Sequence, residues 1–328
     1  MLLVGAALVS YLSFAELDFS WGRVVAETPP DKLALLLPLD DPNLPWLGTL
    51  VGVPILGFYF WCTNQFIVQR ILGARSVADA RWGALFAGFL KLPVLYLMVF
   101  PGVMAAIFMP GLESADMVFP ALVSTLLPAG LAGLVIAGLL AAIMSSIDST
   151  LNSASTLLTM DFLQPDQRGW SERRTAWVGR CCVLGFMALA VLIAPLIANF
   201  AGLFHYLQSA LAYLVPPVSV VFIAGMFWRG ASATGAIATL VGGHLVSGLL
   251  FLLSLLDVLT LHFTLVAGLL ALVSVVITLS CSRLGSAPKE RQLAGFTFHR
   301  ETVSADPALA WWQDYRLHAL VLGLLASA

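Results

Sequence analysis

Long apolar stretches, separated by short polar segments, limit this sequence to a small set of folds. A helix needs about 20 apolar residues to cross the hydrocarbon core of a bilayer. Only 10% of the residues are charged, compared with about 25% in soluble domains. The sequence therefore predicts an all-α polytopic membrane protein, a single transmembrane domain over 1–328 in the lipid bilayer, with no sign of nucleic-acid binding. About nine stretches approach or reach spanning length, at roughly 1–17, 47–69, 83–109, 129–162, 174–198, 201–228, 231–254, 259–281 and 314–328.

Basic residues alternate between the predicted loops. Arginine and lysine cluster after the second, fourth, sixth and eighth apolar stretches, whereas the intervening loops are mainly acidic. Because cytoplasmic loops carry an excess of Lys and Arg, the loop 282–313 is predicted to be cytoplasmic and the loops 18–46 and 111–128 external, in a multi-pass protein of the cell membrane. The second external loop contains a predicted short helix at 116–127. Each external loop is either a lid over a vestibule or a surface segment.

One predicted span is polar along half of its surface, between Gly138 and Asp161. At about 100° per residue, its hydroxyl, amide and carboxyl side chains share one arc, which comprises Ser145, Ser146, Asp148, Ser149, Asn152, Ser153, Ser155, Thr156 and Thr159. Lipid penalises exposed polar groups, so this arc is expected to face protein or water. Oxygen-rich surfaces suit hard cations, and packing between helices through Ser and Thr is the alternative.

The second predicted span has the pattern of an interrupted helix. Gly52, Pro54 and Gly57 precede the aromatic run 59–61, and interrupted helices build transporter binding sites. Flat rings suit the apolar faces of a sugar. Ordinary packing inside the protein is the alternative.

Further polar groups lie inside other predicted spans. Lys91 lies roughly 12 Å from the cytoplasmic end of its span, where it either snorkels to the interface or faces a cavity. Gln208 precedes Pro216 and Pro217, which are expected to kink or break their helix and to expose carbonyl groups to a solute. Gln208 otherwise bonds a neighbouring helix, and His205 is expected to pack.

At these residues the sequence resembles the sodium/solute symporter family, most closely its sodium–glucose cotransporter branch. The likeness extends over nearly the whole chain and is carried by FWCTNQFIVQRILGA (60–74), GALFAGFLKLPVLYLMVFPGVMA (83–105), FPALVSTLLPAGLAGLVIAGLLAAIMSSIDSTLNSASTLLTMD (119–161) and YLQSALAYLVPPVSVVFIAGMFWRG (206–230). The resemblance implies an inverted five-plus-five helix repeat fold. Residues 1–17 resemble the fifth core helix, so the second repeat is expected to be complete and the first mostly missing, an N-terminal truncation that removes the first five helices.

The resemblance also implies cation sites on the polar span. The Ala142 carbonyl and the hydroxyls of Ser145 and Ser146 correspond to one half of the main sodium site. Asp148, with Ser149, lies near the position where some relatives have a second sodium site. We therefore expect Asp148 to contribute to a second cation site. Na⁺ is the only cofactor expected, as a coupling ion, with no transition metal.

Five residues correspond to solute-binding positions of the family. Lys91 and Gln208 match sugar contacts, and Phe60 and Trp61 match the aromatic inner gate and the wall beneath the sugar. Gly57 stands where some relatives have a polar sugar contact. Phe60 replaces a tyrosine that is frequent in sugar transporters, and a phenyl ring stacks but cannot donate a hydrogen bond.

The function implied is sodium-coupled symport of a small polar solute, with a sugar as the first expectation. A symporter for inositol, an amino acid or a carboxylate is an alternative within transport. A truncated non-transporting or sensor version of the fold is a second alternative. Motifs of intramembrane or hydrolytic enzymes such as H-E-x-x-H and G-x-S-x-G are missing from the sequence, so an enzyme is not expected.

Overall fold

A computed structural model describes residues 2–34, 36–42, 44–112, 114–197, 203–259, 261–298 and 314–327. Predictions for Met1, Glu113, the end of the fifth stretch at 198 and the loop segment 299–313 fall outside these residues. Within the described chain there is no β-strand, and seven helices are long and apolar enough to cross a membrane: Trp46–Thr63, Val77–Phe108, Ala129–Phe162, Glu172–Pro195, Leu203–Phe227, Ala233–Leu255 and Phe263–Leu284. The protein is therefore an all-α polytopic membrane protein, as predicted.

The seven long helices correspond to the second to eighth predicted stretches, and the first and last stretches form shorter apolar helices. The helices are α1 (Leu2–Ala15), α2 (Trp21–Glu27), α3 (Pro30–Leu33), α4 (Trp46–Phe58), α5 (Gln65–Leu72), α6 (Val77–Val94), α7 (Phe100–Phe108), α8 (Val118–Leu126), α9 (Ala129–Thr156), α10 (Glu172–Ile197), α11 (Leu203–Phe227), α12 (Ala233–Leu255), α13 (Phe263–Leu284), α14 (Glu290–Leu293) and α15 (Tyr315–Ser327). At 14 and 13 residues, α1 and α15 are too short to cross a bilayer on their own.

The predicted interruption of the second span is confirmed. Helix α4 continues into one π-helical turn at Tyr59–Thr63, and the chain is extended at Asn64 before α5 begins. The Asn64 side chain accepts a hydrogen bond from the Phe66 N–H at 3.3 Å and so caps α5. Two further π-helical turns, Leu95–Val99 and Leu157–Phe162, lie within the third and fourth apolar stretches.

The double proline was predicted to kink or break its helix, and the break is wrong, because α11 runs without interruption from Leu203 to Phe227; the kink stays a prediction. Pro217 has no N–H to donate to the Tyr213 carbonyl four residues earlier. The Ser247 hydroxyl of α12 donates to that carbonyl instead. The Tyr213 carbonyl is therefore satisfied by a neighbouring helix and is not left open for a solute.

The described chain divides into two compact units, and the first comprises residues 1–33 and 86–203. In this unit α1 packs against α7, α8 and α9. The core consists of small and branched apolar side chains, namely Val9, Ala105, Leu122, Val123, Leu127 and Val135. A close approach at Gly5, where a Cβ would meet Val135 at 2.6 Å, brings α1 against α9. Small residues at helix crossings are typical of membrane bundles.

The second unit comprises residues 34–85 and 204–328. Helix α13 lies between α4 and α12, and every crossing uses a glycine. Gly48 and Gly52 of α4 approach Thr264, Gly235 of α12 approaches Ser282, and a Cβ at Gly243 would meet the Pro217 ring at 2.8 Å. Glycine contacts and a buried 2.6 Å hydrogen bond between the Thr239 and Thr278 hydroxyls hold α12 and α13 together.

Candidate functional site

Four of the five predicted solute-binding residues line one cavity of about 660 Å³ in the second unit. Gly57 comes from the end of α4, and Phe60 and Trp61 come from the π-helical turn that follows. Gln208 comes from the second turn of α11. Two aromatic rings from the second span and one amide from α11 therefore line a single space.

The aromatic rings of the cavity are arranged edge to face. The Phe60 and Trp61 centroids are 5.7 Å apart at an interplanar angle of 79°. Phe60 is half-buried, and Trp61 is 39% exposed. Edge-to-face pairs are stable arrangements of aromatic side chains, so Phe60 and Trp61 support each other while still lining the cavity.

Two polar residues of the cavity were not predicted as solute contacts. His205 lies one turn before Gln208 on α11, and its ring meets Phe263 edge-on at 5.7 Å. The spacing of three residues puts both on one helix face, which is a signal that the sequence contains. Thr264 is fully buried and bonded to His262 Nδ1 at 2.8 Å. Thr264 comes from α13, and no local sequence pattern predicts that it lines this cavity.

The cavity is neutral in the part of the chain that the structure describes. Its lining contains no carboxylate, lysine or arginine, and its polar groups are Gln208, His205 and Thr264. Apolar and aromatic side chains supply the remaining surface. A space with a few polar groups among rings suits an uncharged solute that presents both hydroxyl groups and apolar faces.

The fifth predicted solute contact, Lys91, belongs to the first unit. Lys91 is exposed near the end of α6, two residues before Pro93. Its predicted contact with a solute stays a prediction.

The predicted cation ligands lie together on α9. The Ser146 hydroxyl donates to the Ala142 carbonyl at 3.0 Å, and the Ser149 hydroxyl donates to the Ser145 carbonyl at 2.9 Å. Ser145, Ser146 and Asp148 are exposed, whereas Ala142 and Ser149 are half-buried. The polar arc is therefore open at this level of the helix.

The same polar arc has a different environment at its later end. The Ser155 hydroxyl donates to the Gly179 carbonyl of α10 at 2.8 Å, and the Thr159 hydroxyl lies 3.9 Å from the Cys182 sulfur. Ser155 and Thr159 are buried. Packing against α10 therefore accounts for the hydroxyls of Ser155 and Thr159, and it does not account for the exposed polar groups of Ser145, Ser146 and Asp148.

The two predicted external loops contribute to one cavity in the first unit. This cavity of about 780 Å³ has walls from the segment Glu27–Lys32, from α7 and from the segment Ala115–Leu122. Residues 115–126 are helical, as a 3₁₀ turn followed by α8. The arrangement is compatible with a vestibule wall, and the external location of both segments stays a prediction.

Comparisons with known proteins give matches over most of the chain. Residues 13–243 match the family model described as the sodium:solute symporter family. The sodium/myo-inositol cotransporter 2 of Mus musculus is 32% identical over 94% of this chain and 54% of its own length. The sodium/mannose cotransporter of Bos taurus is 37% identical over 61% and 37%, and the sodium/glucose cotransporter 4 of Danio rerio is 32% identical over 75% and 43%. The chain thus spans about half, or less, of the length of these curated relatives.

Proposed function

Because this chain belongs to the sodium:solute symporter family, we propose that it acts in a sodium-coupled secondary active symporter of the cell membrane that imports a small polar solute. The observation that carries the proposal is the convergence of Gly57, Phe60, Trp61 and Gln208 on one cavity. These four residues also correspond to solute-binding positions of the family. The proposed protein is a transporter and not an enzyme.

The solute that we propose is a neutral polyhydroxylated ring, a sugar or a cyclitol. Relatives of the chain carry the names of inositol, mannose and glucose cotransporters. The Gln208 amide can both donate and accept hydrogen bonds with hydroxyl groups, and the rings of Phe60 and Trp61 suit the apolar faces of such a solute. An amino acid or a carboxylate brings charges for which the described lining of the cavity has no fixed counter-charge.

The coupling ion that we propose is Na⁺, bound on α9. The Ala142 carbonyl oxygen and the Ser146 hydroxyl oxygen are 3.0 Å apart, so one cation can lie about 2.4 Å from both, a distance typical of hard cations with oxygen ligands. The neighbouring Ser145 hydroxyl adds a third oxygen. Asp148 and Ser149, on the following turn, are the proposed ligands of a second cation.

The driving force follows from the charge and the gradient of the ion. One charge that moves through 100 mV contributes about 2.3 kcal/mol, and a tenfold sodium gradient adds about 1.4 kcal/mol. One ion can therefore drive a neutral solute roughly 500-fold uphill, and two ions can drive the square of that ratio. Sodium binding from outside stabilises the outward-facing state, and the solute then binds and enters with the ion.

The test is tracer uptake of myo-inositol and mannose into vesicles that contain the protein, in sodium and in potassium medium. Sodium-stimulated uptake is expected, and equal uptake in potassium contradicts the proposal. Gln208→Ala is expected to raise the half-saturating solute concentration about fivefold, because one hydrogen bond of about 1 kcal/mol is lost. Gln69→Ala on α5, outside the cavity lining, is the matched control and is expected to leave this concentration unchanged.

A further inference from the structure

A groove between α9 and α10 forms a second polar space in the first unit. Its volume is about 620 Å³. One wall comes from the end of α9 and the π-helical turn after it, and the other wall comes from the first half of α10. The hydrogen bond from the Ser155 hydroxyl to the Gly179 carbonyl links the two walls. The groove is separate from the residues assigned above to sodium and to the solute.

Arg180 is the only charged residue among the described residues that line this groove. It is exposed, and no ion pair of Arg180 occurs within the described chain. Arg180 lies about 12 Å along α10 from Glu172, the first residue of the helix. A charged residue within an apolar span needs a polar or charged partner, and the positive charge of Arg180 is available to an anion in this groove.

Asn152 supplies a second donor on the opposite wall. The hydroxyl groups of the groove already donate elsewhere: Thr156 donates to the Asn152 carbonyl at 2.8 Å, and Thr175 donates to the Ser171 carbonyl at 3.2 Å. The Asn152 amide and the Arg180 guanidinium therefore remain to donate to a ligand. This pair of donors, one charged and one neutral, suits a phosphate group.

Apolar side chains lie directly beside these donors. Met160 of the π-helical turn and Val183 and Leu184 of α10 complete the lining. Free phosphate gains nothing from such neighbours, whereas the acyl chain of a lipid does. The combination of a phosphate-binding end and an apolar end is typical of a lipid headgroup site between helices.

The depth of the groove also fits a lipid headgroup. Trp170 has Arg174 4.6 Å and Arg168 5.9 Å from its ring, and tryptophan is typical of the membrane interface. The polar region of one leaflet is about 5–7 Å thick, and an arginine side chain extends from the hydrocarbon edge toward it. Asp161, Asp166 and Glu172 are nearby in sequence, and none of them pairs with these arginines in the described structure.

We propose that the groove between α9 and α10 binds an anionic phospholipid of the cytoplasmic leaflet, with its phosphate held by Arg180 and Asn152 and its acyl chain against Val183 and Leu184. The lipid fills a space between two helices and thereby stabilises their contact. Sequence patterns alone do not reveal this site, because Asn152 and Arg180 come from separate helices.

The first experiment measures thermal unfolding of the detergent-purified protein with increasing phosphatidylglycerol, phosphatidylcholine or inorganic phosphate. Phosphatidylglycerol is expected to raise the unfolding temperature, and the other two are not. Arg180→Gln is expected to raise the half-saturating phosphatidylglycerol concentration about tenfold or more, because a charge-assisted contact is lost. Asn152→Ala is expected to raise the half-saturating phosphatidylglycerol concentration by a smaller factor.

The matched control is Arg283→Gln, an exposed arginine in the last turn of α13, for which no change in lipid response is expected. If Arg283→Gln raises the half-saturating phosphatidylglycerol concentration as much as Arg180→Gln does, the lipid responds to surface charge in general, and the proposal is overturned. An equal effect of inorganic phosphate identifies a free anion as the ligand, and no effect of phosphatidylglycerol on the native protein shows that the groove does not bind this lipid. Either result overturns the proposal.

A second measurement does not depend on the stability of any variant. Membranes that contain the native protein are loaded with phosphatidylglycerol carrying a photoreactive acyl chain, and the labelled peptides are identified by mass spectrometry. Label is expected on Val183, Leu184 or Met160, which line the groove. Label spread evenly over all lipid-facing helices contradicts the proposal.

Discussion

Five hydroxyl groups of α9 donate their protons inside the helix and keep their oxygen lone pairs available. Each hydroxyl donates to the carbonyl four residues earlier at Ser146, Ser149, Thr150, Ser153 and Thr156. A hydroxyl oxygen that donates its proton still has two lone pairs for a cation. The back-bonds therefore satisfy the helix and orient oxygens at the same time, and only the position of each hydroxyl on the polar arc decides whether a cation can reach it.

Ser146→Ala tests this distinction at one residue. The substitution removes one oxygen ligand of the proposed sodium site and is expected to raise the half-saturating sodium concentration about tenfold. Thr150→Ala removes the same kind of back-bond, to the Ser146 carbonyl at 2.9 Å, and is expected to leave sodium dependence unchanged. The measurement is sodium-dependent solute uptake. If both variants change the half-saturating sodium concentration equally, these hydroxyls support the geometry of the helix and do not bind the ion.

Residue types alone predicted the polar arc of α9 but not its division into two environments. Ser155 and Thr159 bond to α10, whereas Ser145 and Asp148 are exposed. The arc is continuous in the sequence because every member has the same periodicity. The position of α10 decides which members are buried, and no local pattern encodes that position.

At the scale of helices, local signals predicted an interruption of the second span but not its position. Helix α4 continues through Gly52, Pro54 and Gly57, and the chain leaves the helical conformation only at Asn64. The same reasoning failed at Pro216 and Pro217, because Ser247 satisfies the freed Tyr213 carbonyl and Gly243 gives the Pro217 ring room. Both compensations come from α12, which follows later in the chain, so the sequence around the prolines does not contain them.

Two glycines of α4 have different roles, since Gly52 lies at a helix crossing and Gly57 lines the cavity. Replacement of each by alanine distinguishes these roles. A Cβ at Gly52 would collide with the Thr264 carbonyl of α13, whereas a Cβ at Gly57 meets no atom within 4 Å. Gly52→Ala is therefore expected to reduce the free energy of unfolding by about 1–3 kcal/mol, the usual effect of overpacking. Gly57→Ala is expected to leave this free energy unchanged and to weaken solute binding, because its methyl group enters the cavity.

Equilibrium unfolding in detergent and solute uptake, measured on both variants, distinguish these outcomes. If Gly57→Ala is as unstable as Gly52→Ala, the open space beside Gly57 does not exist in the protein. If Gly57→Ala changes neither stability nor the half-saturating solute concentration, the cavity is not the path of the solute.

At the scale of the whole molecule, the cavity was predictable to the extent that its residues form a recognisable pattern. The resemblance to the family identified Gly57, Phe60, Trp61 and Gln208, which line one space. It did not identify Thr264, because the approach of α13 to α4 depends on glycines at helix crossings and not on any motif around Thr264. Lys91 lies in the other compact unit, and its predicted contact with a solute stays a prediction.

In the proposed symporter the number of coupled ions is a property of the whole molecule, and we expect this number to depend on Asp148. Asp148 is exposed on the polar arc of α9, and a carboxylate there supplies the charge that a second cation requires. Asp148→Asn keeps the size of the side chain and removes its charge. With a tenfold sodium gradient and 100 mV, the maximal solute accumulation is then expected to fall from the square of roughly 500-fold to roughly 500-fold, and the Hill coefficient for sodium from about two to about one.

Asp161→Asn changes an exposed aspartate in the π-helical turn after α9. This variant is the matched control and is expected to keep the native coupling. An unchanged Hill coefficient and accumulation in Asp148→Asn exclude Asp148 from the coupling, because a lost ion must lower the driving force by its full electrical and chemical contribution.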